Sequence, residues 1–128
     1  MATGRARRWI GWVITGLTAL VFLFSASMKL VGGPEIQKAM EPLGLPGSLL
    51  LPLAILELSC LLVYLLPPTS VLGAILLTGY LGGAILTHVR VEEPFVFPLL
   101  LGILVWLGPY LRDERLRQLI PLRRPSRG

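Results

Sequence analysis

The chain has 128 residues, 54% of them hydrophobic and 15% charged, and its twelve Lys+Arg against seven Asp+Glu leave a net charge of +5. That is the length of one domain, with too little charge for a water-soluble one, and the mean hydropathy of +0.74 agrees. The basic residues gather at the two ends around an apolar middle, which argues for a membrane and against a nucleic-acid partner; a single His and a single Cys argue against a disulfide, a CxxC redox pair, or a metal or haem site within the chain.

The first element follows a short basic start, MATGRARR. Residues 9–28 carry no charge, and a span over 9–30 reaches about 30 Å, the thickness of a bilayer's hydrocarbon layer. Trp9 and Trp12 stand at its entrance, at headgroup level. Basic residues, an apolar run and Ser25-Ala26-Ser27 also fit a cleaved secretory signal. The length of the run and its internal pattern favour a retained helix. Gly11, Thr15, Thr18, Ser25, Ala26 and Lys29 recur at helical spacing, and such a small, polar stripe turns toward other helices. It serves close packing or, through the threonines, a ligand.

A polar connection follows over 31–47. Gly32-Gly33 ends one helix and Pro34 starts a short second one, with Glu35, Lys38 and Glu41 on one face and Ile36, Ala39, Met40 and Leu43 as apolar contacts. It reads as a surface helix stopped by Pro42 and Pro46, or as a solvated cap.

The second span, 48–66, is apolar apart from Glu57 near its middle. Pro67-Pro68 ends it in a tight turn. The third span covers 70–88 and contains Gly79 and Gly83, a GxxxG pair that predicts tight packing within the chain or a homodimer contact. A charged loop, VRVEEP, leads to the fourth and shortest span, 95–111, where Pro98 predicts a kink near the start. Residues 111–120 can continue as an amphipathic helix, and the basic tail over 112–128 ends in a segment, PLRRPSRG, of disordered character.

These elements predict an all-α fold, a transmembrane four-helix up-down bundle forming a single domain over 1–128. Nine basic residues (Arg5, Arg7, Arg8, Arg112, Arg115, Arg117, Arg123, Arg124 and Arg127) lie at the termini. The opposite loops hold Lys29, Lys38 and Arg90, balanced by four glutamates. The positive-inside rule then places both termini in the cytoplasm, for a protein integral to a bacterial-type plasma membrane.

An ionisable residue in mid-span costs a few kcal/mol and needs polar partners in the bundle interior or a wet cavity. Leu50, Leu53, Ala54, Cys60, Leu61 and Tyr64 share the face of Glu57 on its own helix, so its partners come from other helices. Lys29 with Ser25 below it ends the first span, and His88 and Arg90 end the third above Thr87 and Tyr80, all on one side. Ionised, Glu57 pairs with Lys29, His88 or Arg90; unpaired in a dry core, it keeps its proton. The constellation reads as a structural clamp, as a binding or proton-handling site centred on Glu57, Lys29 and His88 and facing outward, or as a dimer contact. For His88 and Arg90 the simplest role is to reach the interface.

The run Ser25-Ala26-Ser27-Met28-Lys29-Leu30 and the block LELSCLLVYLLPPTSVLGAILLTGYLGGAILTHVR resemble the DoxX-like family of small four-helix membrane proteins, over residues 25–110. The resemblance implies a four-helix transmembrane bundle. It also implies, loosely, a link to quinone-dependent oxidases and membrane redox complexes, with quinone as a ligand and redox proteins as partners. Three functions follow. The first is a non-enzymatic accessory subunit, or a binder of a lipid-like or quinone-like molecule, with membrane lipid around it. The second is a membrane subunit of a quinone-linked oxidoreductase, with Glu57 handling protons beside Lys29 or His88 and a partner carrying electrons. The third is a small proton-coupled exporter, disfavoured by the strong basic bias and the few aromatics around Glu57.

Overall fold

A computed structural model describes residues 2–123, and these are helical throughout apart from turns and loops. The helices are α1 (Ala2–Val31), α2 (Pro34–Met40), α3 (Leu50–Leu65), α4 (Ser70–Arg90), α5 (Val96–Arg112) and α6 (Glu114–Leu119). Three segments, Gly4–Val31, Gly47–Leu65 and Pro67–Arg90, are long and apolar enough to cross a membrane, and Val96–Arg112 is a shorter apolar helix. The protein is therefore a helical membrane protein, and its many exposed leucines, isoleucines and valines are what a lipid-facing surface requires.

The four long helices close a ring: α1 packs on α3 and α5, and α4 packs on the same two. The stripe on α1 takes the role expected of it. Gly11, Thr15, Thr18, Ala26 and Lys29 are buried and Ser25 is half-buried. The threonine hydroxyls donate to carbonyls one turn back, Thr15 to Gly11 (2.9 Å) and Thr18 to Ile14 (2.7 Å). A hydroxyl in an apolar interior satisfies itself this way. The threonines thus serve packing rather than a ligand.

Several local expectations are corrected. α1 begins at Ala2, so the basic start belongs to the helix. Pro98 sits in the first turn of α5, where its missing N–H has no carbonyl to serve, and no kink is needed there. The proline inside that helix is Pro109. It cannot donate to the carbonyl of Val105 one turn earlier, and the hydroxyl of Tyr64 on α3 donates to that oxygen instead, at 2.7 Å. Tyr64 is fully buried. Tyr64→Phe should therefore cost about 1–3 kcal/mol, because it strands a buried carbonyl; equilibrium unfolding in detergent, beside an exposed control such as Leu62→Met, measures it.

The amphipathic continuation of the fourth span is a separate helix. Asp113 is extended and its carboxylate accepts from the amide of Arg115, capping α6. Leu116 is buried against the bundle. The segment 124–128, with Arg124 and Arg127, lies outside the described residues.

The close helix approaches also differ from the expected ones. Within the chain, Gly79 and Gly83 face open space: a Cβ at either would meet no atom within 4 Å. Contact between backbones is made instead at Gly73, which lies on the backbone of Tyr64, and at Gly11 and Gly108, where α1 meets α5. Trp12 is under the guanidinium of Arg112, 4.0 Å from its ring centre, so that this arginine closes the same end of the α1–α5 seam.

Candidate functional site

Glu57 and Lys29 form an ion pair inside the protein. Glu57 lies mid-way along α3 and is 1% exposed; Lys29, in the last turn of α1, is 7% exposed. The ammonium is 2.9 Å from Oε2 of the carboxylate and donates also to Ser25 Oγ at 2.7 Å. The hydroxyl of Tyr80, on α4, donates to the same Oε2 at 3.0 Å. Ser25 Oγ stands 3.5 Å from that oxygen, at the limit of a hydrogen bond.

Two helices, α1 and α4, thus bring polar groups to one carboxylate oxygen on a third, α3, and the spacing explains why. Ser25 and Lys29 are one helical turn apart on the buried stripe of α1, so the serine steadies the ammonium. The buried face of α3, with Leu50, Ala54, Cys60, Leu61 and Tyr64, turns Glu57 toward them. All four residues were expected around one site.

The pair borders a cavity of about 510 Å³, within the usual range of small-molecule sites. Ser25, Lys29, Glu57, Tyr80, Thr87 and His88 supply its polar groups. The rest of the wall is apolar, including Phe22, Leu53, Leu56, Leu81 and Leu101. Thr87 donates to the carbonyl of Gly83 at 2.7 Å. His88 Nδ1 lies 2.6 Å from the carbonyl of Ala84. A carbonyl can only accept, so Nδ1 carries the hydrogen and Nε2 remains for another partner. His88 therefore lines the site without touching Glu57.

Arg90 departs from expectation. It does not line the cavity; its guanidinium donates to the carbonyl of Leu43 at 2.7 Å. Because α4 ends at Arg90, the long side chain extends past the helix end and ties down the connection after α2. Met40 at the end of α2 and Leu43 and Leu45 in that connection line the cavity wall, so the connection is more than a cap. Its turn depends on Gly44, which has a φ of +73°.

The apolar walls were not legible as a site. Phe22 falls on the α1 stripe, one turn beyond Thr18 and one before Ala26, and that register was the available signal. Phe97, Pro98 and Leu101 of α5 and the residues after α2 carried none, because only the ring closure brings them near Glu57.

The family model described as the DoxX-like family matches residues 13–108, well over half of the chain and every candidate site residue. No curated protein and no solved structure shows significant similarity to the chain.

Proposed function

This chain belongs to the DoxX-like family, and from that premise we propose that it is a four-helix up-down membrane bundle that binds a lipid-like or quinone-like small molecule at Glu57. The carrying observation is the buried Lys29–Glu57 pair at the wall of an otherwise apolar cavity. A clamp alone needs no cavity, and a cavity for a pure hydrocarbon needs no ion pair. A polar head among apolar walls suits an amphiphile.

In this reading α5 is the fourth span. Its 17 residues reach about 25 Å, so the bilayer thins slightly around it or α6 and the flanking arginines extend the reach. The arginine-rich ends favour both termini in the cytoplasm of a bacterial-type plasma membrane, with the Lys29 end of the cavity toward the outside. The protein acts as an accessory or binding subunit. The enzyme reading keeps one specific support: Lys29, Tyr80 and Glu57 share a hydrogen-bonded oxygen, an arrangement able to pass a proton to a bound quinone, whose electrons a partner protein would supply. The glycines Gly79 and Gly83 leave a homodimer contact open to test.

Thermal unfolding in detergent tests the binding reading. A benzoquinone with a decyl tail and a 1-monoacylglycerol are each added to wild type and to Glu57→Gln. Binding stabilises only the folded state, by about 2.7 kcal/mol at a hundredfold excess over Kd. At least one of the two should raise the wild-type midpoint and leave that of Glu57→Gln unchanged. Equal shifts in both proteins, or none in either, would remove Glu57 from the site.

A further inference from the structure

The cavity has a covered end and an open side. At the Lys29 end the last residue of α2, Met40, and Leu43 and Leu45 of the connection after it form part of its wall, and the bond from Arg90 to Leu43 holds that connection in place. A residue that both lines a cavity and is exposed at the protein surface marks an opening. Leu56, Gly79 and Gly83 do both on α3 and α4, as do Leu49 before α3 and Pro94 and Phe97 around the start of α5, but only the first group lies beside Glu57 and Tyr80 in the chain. Leu56 precedes Glu57 in α3, and Gly79 precedes Tyr80, whose hydroxyl holds the carboxylate. The opening is therefore level with Glu57, within the apolar length of both helices. A methyl on either glycine would meet no neighbouring helix within 4 Å, so the gap beside them is open space rather than a helix seam.

The chemistry behind the opening is specific. Oε2 receives Lys29 and Tyr80, while Oε1 has no donor among the described residues. Lys29 has three hydrogens, and its bonds to Glu57 and Ser25 use two. The pair thus offers a visiting head one acceptor and one donor, and its two charges cancel. A charged head would meet a like charge in Glu57 or Lys29 away from water.

We propose that the cavity fills sideways from the bilayer, through a gap between α3 and α4 framed by Leu53, Leu56, Gly79 and Gly83. Its occupant is an uncharged amphiphile with a hydroxyl-bearing head at Glu57 and a hydrocarbon tail in that gap. The proposal rests on the binding reading above and adds the route and the charge class. It also gives the GxxxG pair a role that helix packing does not.

The test uses the full chain in phosphatidylcholine discs and a 1-monoacylglycerol carrying a diazirine midway along its acyl chain. After irradiation, labelled residues are mapped by peptide mass spectrometry. Labelling should concentrate at Leu56, Gly79 and Gly83, disappear with excess unlabelled monoacylglycerol, and fall about tenfold in Glu57→Gln, which corresponds to about 1.4 kcal/mol of binding. The double variant Gly79→Leu/Gly83→Leu, which fills the space beside both glycines, should lose the labelling with an unfolding midpoint no lower than that of wild type. Competed labelling at Met40 and Leu45, or in the α4–α5 groove at Ile103 and Trp106, would overturn the route and leave the binding reading standing. Labelling of all lipid-facing helices, uncompeted and identical in Glu57→Gln, would overturn both. A double variant that turns a dimer into a monomer with labelling unchanged would make the glycines a dimer contact and overturn the route.

Discussion

Lys29→Met is expected to destabilise the protein by about 3–5 kcal/mol, because it leaves a buried carboxylate without its counter-charge. At 1% and 7% exposure, neither partner has water to fall back on. Tyr80 and Ser25 remain near Oε2, but neither brings a positive charge. The double variant Lys29→Met/Glu57→Met should recover most of the loss, since well-packed apolar residues of similar volume replace a buried pair at little cost. A double-mutant cycle by equilibrium unfolding in mixed micelles reads both values. A loss under about 1 kcal/mol for Lys29→Met is the behaviour of a solvated pair and would contradict the buried one.

Gly73→Ala should be the most damaging conservative change elsewhere in the protein. The added methyl would land on the backbone nitrogen and Cα of Tyr64, which cannot rotate away as a side chain tip can. α3 and α4 must then separate at the level where Tyr64 completes the hydrogen bonding of α5. Overpacking costs about 1–3 kcal/mol, occasionally more, and a backbone collision belongs at or above the upper end. Gly108→Ala should act similarly at the α1–α5 seam, against Thr15 and the carbonyl of Gly11. Gly79→Ala and Gly83→Ala, facing open space, should be neutral or stabilising by up to about 1 kcal/mol through helix propensity. Unfolding midpoints of the four variants decide this, and equal losses at Gly73 and Gly79 would contradict the packing described.

The contrast among these glycines shows where sequence reading stops. Span length, proline ends and the small-residue stripe of α1 depend on local chemistry, and each is visible in the string of residues. So is the gathering of polar groups near Glu57, because an interior charge has few within reach. Its partner stood open among Lys29, His88 and Arg90, and the structure pairs it with Lys29, with Tyr80 and Ser25 beside it. Which glycine meets which backbone depends on helix rotation, and the GxxxG spacing drew attention to Gly79 and Gly83 while Gly73 made the contact. Arg90 shows a similar limit: its position at a helix end was legible, but its target was a loop carbonyl whose location follows from the turn at Gly44. Pro109 carried a readable demand, an unserved carbonyl at Val105, yet nothing local named Tyr64 as the donor.

The central claim is that Glu57 holds a small amphiphile, and native mass spectrometry of protein released from native-lipid discs tests it most directly. Wild type and Glu57→Gln are released under the same conditions, and retained small molecules are identified after dissociation. A stoichiometric, uncharged, lipid- or quinone-like adduct is expected on wild type and lost from Glu57→Gln, with both proteins compared while folded, at a temperature below the lower of the two unfolding midpoints. Bare wild-type protein, or the same adduct on both proteins, would contradict it.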